Sequence, residues 1–87
     1  MADSVIKLSD TPIRSAEEME SAIGSAEVGT TFKIITEVPF VYDYGSGNTI
    51  TYYDGVYVIW NGEIMDIFGA SYAELDKMYK KFQTWAL

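Results

Sequence analysis

A β-hairpin motif occupies Val56 to Phe68, where the sequence reads VYVIWNGEIMDIF. Two runs of alternating apolar residues flank Asn61-Gly62, and this arrangement is the strongest short-range signal for a hairpin with a two-residue turn. Such a turn needs positive φ at both central residues, which Asn tolerates and Gly adopts freely. The predicted cross-strand pairs are Trp60–Glu63, Ile59–Ile64, Val58–Met65, Tyr57–Asp66 and Val56–Ile67.

Further strands are predicted before this hairpin. Residues 31–37 read TFKIITE, which alternates and is rich in β-branched side chains. Residues 40–44 and 48–53 continue the extended pattern on either side of a Gly-Ser-Gly connector, and Asp54-Gly55 is a second hairpin turn. With a short strand at 4–8, the pattern predicts an antiparallel meander of four to five strands.

The two turns also predict which side chains share a face. A four-residue loop at 45–48 sets Tyr44 opposite Thr49, and a two-residue turn sets Tyr53 opposite Val56. The predicted core face carries Phe40, Tyr42, Tyr44, Thr51, Tyr53, Val56, Val58, Trp60, Met65 and Ile67. The second face carries Val41, Asp43, Ile50, Tyr52, Tyr57, Ile59, Ile64, Asp66 and Phe68. A slip of one residue at either loop would exchange the two faces of a strand.

Two helices are predicted from their capping signals and apolar stripes. Ser15 and Glu18 form a capping box for a helix at about 16–26, and Ser71 and Glu74 form one for a helix at about 72–85. The apolar stripe of the second helix consists of Tyr72, Leu75, Met78, Tyr79, Phe82, Trp85 and Ala86. We expect this helix to pack on the sheet, so that residues 1–87 form a single α+β domain.

The charge of the chain is strongly negative and unevenly placed. The net charge is −7, and residues 1–66 hold eleven acidic against three basic residues. Direct binding to DNA, RNA or an anionic membrane is therefore not expected, because phosphate contacts need the opposite sign. An acidic surface can instead attract a basic partner, or it can simply keep a small aromatic-rich protein soluble.

The residue inventory argues against an enzyme or a metal protein. The chain has no Cys and no His, which removes thiolate chemistry, the usual general base and the commonest metal ligand. The loop Gly45-Ser46-Gly47 lacks a phosphate-binding pattern, and too few oxygen ligands surround it for Ca²⁺. A carboxylate pair such as Asp43 and Asp66 matches no catalytic motif. We therefore predict no enzymatic activity, cofactor or metal, and cytoplasmic residence, because no signal peptide or bilayer-length apolar run is present.

The second sheet face is the predicted partner-binding surface, because Tyr and carboxylate side chains there suit an Arg/Lys-rich partner. The alternative is that the first helix or a second copy of the chain covers this face, and a second copy would give a homodimer. The candidate partner-binding residues are Glu17, Glu18, Glu20, Asp43, Tyr52, Tyr57, Glu63 and Asp66.

In size, α+β character, charge and lack of His and Cys, the chain resembles the small acidic inhibitors that phages and mobile elements encode, including anti-CRISPR proteins and DNA mimics. In a DNA mimic, surface carboxylates imitate phosphates. The matching carboxylates here are Asp3, Asp10, Glu17, Glu18, Glu20, Glu27, Asp43, Glu63 and Asp66. Lys77, Lys80 and Lys81 confine that imitation to the N-terminal two thirds.

The resemblance implies inhibition of a host nucleic-acid-handling complex through a basic protein surface in the host cytoplasm. The alternatives are a homo-oligomeric structural or assembly subunit and, as a third class, a small carboxylate-dependent enzyme.

Overall fold

The computed structural model describes residues 7–69 and 72–86, with side chains described as far as residue 81. The strands are β1 (Lys7–Leu8), β2 (Thr30–Lys33), β3 (Phe40–Asp43), β4 (Thr49–Tyr52), β5 (Tyr57–Trp60) and β6 (Met65–Ile67). The helices are α1 (Ala16–Ser25) and α2 (Ala73–Ala86). The α+β class and both predicted helices are confirmed. Residues 4–6 of the first predicted strand and the Ser71 cap lie outside the described residues.

The strands form two sheets rather than one meander. One sheet has the order β1-β2-β5-β6, with β1 parallel to β2 and the other pairs antiparallel, and β3 and β4 form a separate hairpin. The predicted pairing of β4 with β5 across Asp54-Gly55 is therefore wrong. The amide of Gly55 instead donates to the carbonyl of Ile34 at 2.8 Å, and the amide of Ile34 donates to the carbonyl of Val56 at 2.8 Å. The chain thus leaves β2, forms the hairpin and returns to the same point of the sheet.

The turn between β5 and β6 lies one residue later than predicted. Trp60 pairs with Met65 instead of Glu63, and Val58 pairs with Ile67 instead of Met65, so each partner lies two residues later in the sequence than predicted. The reason lies in Asn61, which does not adopt the positive φ that a two-residue turn requires. Its side-chain Oδ1 instead accepts the amides of Glu63 and Ile64 at 2.8 and 2.9 Å. A shift of two residues preserves the side-chain alternation, so Val58 and Met65 still face the core.

The β3–β4 hairpin carries the one-residue slip that does exchange faces. Tyr44 donates its amide to the carbonyl of Asn48 at 2.7 Å, which closes a loop of only three residues. All three, Gly45, Ser46 and Gly47, have positive φ, so the chain reverses sooner than a four-residue loop allows. Ile50 and Tyr52 therefore face the core in place of Thr51 and Tyr53.

The four-stranded sheet lies between two layers. The core lies on the Val58 face, beneath α1 and the hairpin, and its fully or nearly fully buried members are Ile13, Met19, Phe32, Ile34, Tyr52, Val58 and Met65. Helix α2 lies on the opposite face, where Leu75 and Tyr79 are buried and the ring of Tyr72 packs at a tilt of 59° against that of Tyr57, with 5.2 Å between ring centroids. Helix α1 thus covers the Val58 face, and the alternative that it covers the Tyr57 face is wrong.

The start of α1 follows the predicted capping chemistry. Ser15 is the N-cap in extended conformation, and its hydroxyl accepts the amide of Glu18 at 3.2 Å. The carboxylate of Glu18 reaches back one residue further than in a standard capping box and accepts the amide of Arg14 at 2.9 Å. Met19 follows on the inner side of the helix and is fully buried, so the cap places α1 against the sheet.

Candidate partner-binding surface

Tyr52 is a core residue, so its predicted place at a partner-binding surface is wrong. The one-residue slip of the hairpin turns it inward, and its side chain is 0% exposed. Its hydroxyl donates to the carbonyl of Met65 at 2.5 Å and lies 2.6 Å from the hydroxyl of Tyr44, which accepts the amide of Met65 at 3.0 Å. Because each hydroxyl has one proton, Tyr44 donates to Tyr52 and the four groups form a closed ring of hydrogen bonds.

Tyr57 is also removed from the candidate surface, because α2 covers it completely. Its hydroxyl donates to Oδ1 of Asp76 at 2.7 Å, and Lys33 Nζ lies 3.4 Å from the same carboxylate oxygen. The ammonium group also sits 5.0 Å from the centre of the Tyr57 ring and 5.3 Å from that of Tyr79. Burial, followed by the contact with Asp76, raises the pKa of Tyr57 above its ordinary value. This polar cluster attaches α2 to the sheet.

Six carboxylates of α1 and of the segment from Glu37 to Asp54 are exposed. We name this set the acidic layer, and its members are Glu17, Glu18, Glu20, Glu37, Asp43 and Asp54. Within the described residues none of them forms an ion pair. Asp43 and Asp54 accept the backbone amides of Gly45 and Thr36, at 2.8 and 3.0 Å, and these bonds leave their charges uncompensated.

The acidic layer joins the helix and the hairpin into one surface. Helix α1 packs on β3, and the negative charge of Glu20 contributes to raising the pKa of Tyr42, after the larger effect of burial. Glu20 and Asp43 therefore belong to adjacent elements. Of the predicted binding residues, Glu17, Glu18, Glu20 and Asp43 are exposed on these two elements, and Glu20 is the one shown to act on the hairpin. Glu37 and Asp54 were not among the predicted partner-binding residues, although both lie beside turn signals at Pro39 and Gly55.

The remaining predicted acids lie at the sheet or outside the described residues. Glu63 is exposed in the β5–β6 turn, and Asp66 is exposed on β6, on the face opposite the core. Glu27 is paired with Lys7, which lowers the pKa of Glu27 by a hydrogen bond and by charge. Asp10 is exposed, and Asp3 lies outside the described residues.

The lysines of α2 lie away from the acidic layer, whereas Arg14 lies beside it. Lys77 and Lys80 are exposed on α2, across the four-stranded sheet from the hairpin. Between Lys33 and Lys77 the sequence contains seven acidic residues and no basic residue. Arg14, just before α1, lines one groove with Glu18 and another with Glu37 and Asp54. The acidic layer keeps a negative net charge with Arg14 included, because its six carboxylates outnumber that one guanidinium.

Comparison of the chain with protein-family models, with curated proteins and with solved structures found no match. The functional reading therefore rests on the charges, contacts and exposed surfaces of this chain alone.

The outer face of the hairpin adds apolar area to the acidic layer. Val41 is 54% exposed and Tyr53 is 55% exposed, and Val38 just before β3 is 69% exposed. Aromatic and aliphatic groups beside charges are typical of protein-binding surfaces. Tyr53 takes the exposed position that the sequence analysis assigned to Tyr52. Only the length of the 45–47 loop distinguishes these two assignments, and the residue pattern alone does not specify it.

A groove of about 780 Å³ runs between α1 and the segment that leads into it. Its floor includes Ile13, Ala22 and Phe32, and its ionisable lining consists of Arg14, Glu18 and Glu27. Both carboxylates are already engaged, Glu18 by the amide of Arg14 and Glu27 by Lys7. In the described ranges, 7–69 and 72–86, no cluster of three acidic residues is arranged to hold a metal ion, and neither helix is long and apolar enough to cross a bilayer.

Proposed function

We propose that the protein is a non-enzymatic binding protein whose acidic layer engages a basic surface of another protein. The observation that carries the proposal is the set of six exposed carboxylates on α1 and on the segment that contains the hairpin, none with an ion-pair partner among the described residues. Such a surface steers a basic partner into contact and favours it over acidic competitors. Val41 and Tyr53 supply the apolar contact area that charge alone does not provide.

The target that we propose is a host nucleic-acid-handling complex, with the protein acting in the host cytoplasm as an inhibitor of phage or mobile-element origin. A protein that binds nucleic acid presents a basic groove, and a compact negative surface competes for that groove. The proposal includes anti-CRISPR proteins and DNA mimics as classes. It does not involve direct contact of this chain with nucleic acid, because its exposed charge has the sign of a phosphate backbone.

The test compares two charge variants of equal net charge in capture from a bacterial lysate. The first is Glu17→Gln, Glu20→Gln and Glu37→Gln in the acidic layer, and the control is Asp10→Asn, Glu27→Gln and Glu74→Gln elsewhere. We expect wild type and control to capture the same partner at low salt, with loss at high salt and on addition of a short DNA duplex. We expect the acidic-layer variant to lose that partner. Capture that is insensitive to salt, equal losses in both variants, or no captured partner contradicts the proposal.

A second candidate function is a homo-oligomeric structural or assembly subunit. The observation that favours it is the exposure of Val38, Val41 and Tyr53 on and beside one hairpin face, since such groups are often buried between copies of a chain. Light scattering after size exclusion distinguishes the two functions. A stable closed oligomer whose hairpin face is buried supports assembly, and a monomer supports partner binding.

A further inference from the structure

The strand edges of this protein are protected to different degrees. At β6 the outward-pointing amide and carbonyl of Met65 are both occupied, by Tyr44 and Tyr52 respectively. At β1 the edge carries Lys7, and a lysine at an edge discourages further strand pairing. Strand β3 begins after Pro39, ends in Asp43 and packs against α1. Strand β4 has none of these features.

The hydrogen-bond pattern of the hairpin shows which groups of β4 point outward. In an antiparallel pair, hydrogen-bonded and non-hydrogen-bonded positions alternate. Because Tyr44 bonds to Asn48, the positions of Thr49 and Thr51 are non-hydrogen-bonded, and their amides and carbonyls point away from β3. Among the described residues these groups have no hydrogen-bond partner.

The sequence of β4 is suited to strand pairing. It reads TITY, which contains only β-branched and aromatic residues, with no charge and no proline. Natural edge strands of this kind are usually shortened, charged or covered, because an open edge is a template for another strand. Here the Met65 position of the β6 edge is closed by two tyrosine hydroxyls, whereas the Thr49 and Thr51 positions of the β4 edge are left open.

We propose that the outer edge of β4 accepts an extended, Lys/Arg-rich segment of the partner as an added strand. This inference rests on the proposed function, and it names the site and the conformation of the bound segment. Asp43 lies across from Thr49 on the hairpin, and Asp54 follows β4 directly after Tyr53. Backbone hydrogen bonds to Thr49 and Thr51 supply affinity, and the two carboxylates select basic side chains. A second copy of the chain would instead bring the same acids together, which disfavours it at this edge.

The test uses two synthetic peptides with identical side chains and charge. One is a short acetylated and amidated peptide that alternates lysine with valine, and the other is N-methylated at every backbone nitrogen, so that it cannot donate backbone hydrogen bonds. Amide hydrogen exchange of the full chain is followed by NMR, with Val58 in the central strand as the internal reference. At a peptide concentration about ten times the dissociation constant, we expect exchange at Thr49 and Thr51 to slow about tenfold. The N-methyl groups of the second peptide also project toward β4 and keep its carbonyls out of reach of the Thr49 and Thr51 amides, so the N-methylated peptide should leave both rates unchanged.

A pair of variants provides an independent check. Thr51→Pro removes an outward-pointing amide at a position where an edge strand tolerates proline, and Thr51→Val keeps that amide and the β-branched shape. We expect Thr51→Val to bind the unmethylated peptide as wild type does, and Thr51→Pro to bind it about tenfold more weakly, since it loses a backbone hydrogen bond and blocks the edge.

Three outcomes overturn this inference. If both peptides bind equally and the edge amides are unaffected, binding is by charge alone, which leaves the proposed function intact and excludes strand addition. If Thr49 and Thr51 become protected with rising protein concentration and no peptide, a second copy occupies the edge. If neither peptide binds, strand addition is excluded, and the lysate experiment decides the proposed function separately.

Discussion

The hydroxyl of Tyr57 on β5 donates to Oδ1 of Asp76 on α2 at 2.7 Å, and this bond joins the sheet to the helix that covers it. Lys33 approaches the same carboxylate at 3.4 Å from the neighbouring strand. The Tyr57 hydroxyl first, and Lys33 to a smaller extent, lower the pKa of Asp76 below its ordinary value of 3.8, against the opposing effect of burial. The ionised carboxylate is thus the form that the fold stabilises.

This pKa shift predicts a loss of stability in acid. Since the pKa of Asp76 is lower in the folded than in the unfolded protein, its contribution is fully present above the unfolded value and is lost as pH falls through the folded value. We expect the free energy of unfolding, measured with urea, to fall below about pH 4. Asp76→Asn should flatten this dependence. Glu74→Gln changes a carboxylate two residues away that has no such partner among the described residues, and it should leave the dependence as in wild type. Equal slopes for wild type and Asp76→Asn would contradict the assignment.

Tyr52→Phe tests the closed ring of hydrogen bonds between the hairpin and β6. The substitution leaves the carbonyl of Met65 and the hydroxyl of Tyr44 without their partner, so we expect a loss of about 1–3 kcal/mol in the free energy of unfolding. The matched control is Tyr53→Phe, whose exposed side chain should change stability by no more than about 0.5 kcal/mol. Denaturant unfolding of both variants measures the difference. Comparable losses in the two variants would mean that Tyr52 is not the buried member of the pair.

The same buried tyrosines predict a loss of stability in alkali. Burial raises the pKa of Tyr52 above its ordinary value of 10.0. A raised folded pKa gives stability that is complete below the unfolded pKa and declines as pH rises through it, so unfolding should become easier above about pH 10. Spectroscopic titration of tyrosinate, combined with unfolding curves, checks this expectation. Ionisation of every tyrosine near pH 10 with no change in stability would argue against it.

Two glycine substitutions test the loop that sets the hairpin register. Gly47 has φ of 79° and Gly24 lies within α1, and an added Cβ would meet nothing within 4 Å at either position. Gly47→Ala should therefore destabilise the protein by about 1 kcal/mol through backbone strain alone, and Gly24→Ala should stabilise it by about the same amount through helix propensity. Thermal unfolding of the two variants gives the comparison. A shift in the same direction for both would show that Gly47 is not held in the left-handed region.

Local signals predicted the elements better than their pairing. The capping Ser15, the turn glycines and the alternation of residues 56–60 each depend on neighbours in sequence, and both helices and the hairpin that ends in β6 are confirmed. The pairing of β2 with β5 joins residues separated by more than twenty positions and carries no local signal. The preference of the Asp54-Gly55 turn for a simple hairpin was overridden by the bonds between Ile34 and the returning chain.

The sequence predicted which charged residues of the candidate surface are exposed, but it did not predict which tyrosine is exposed there. Carboxylates avoid the core, so the exposure of Glu17, Glu20 and Asp43 follows from residue type. Tyrosine is suited to either environment, and the choice between Tyr52 and Tyr53 depends on one residue of loop length. A Gly-Ser-Gly loop can close with three or four residues, and the sequence has no feature that selects one of them.

The meeting of Gly55 with Ile34 also makes the excursion of residues 36–54 a closed loop, with both ends already fixed by the sheet. For such a loop the entropic cost of added residues grows only with the logarithm of its length. The tip at 45–47 can therefore change in length over evolutionary time while the four-stranded sheet is retained, provided that the register that buries Tyr52 is kept. The distance to which the hairpin extends can thus vary while the sheet continues to maintain the fold.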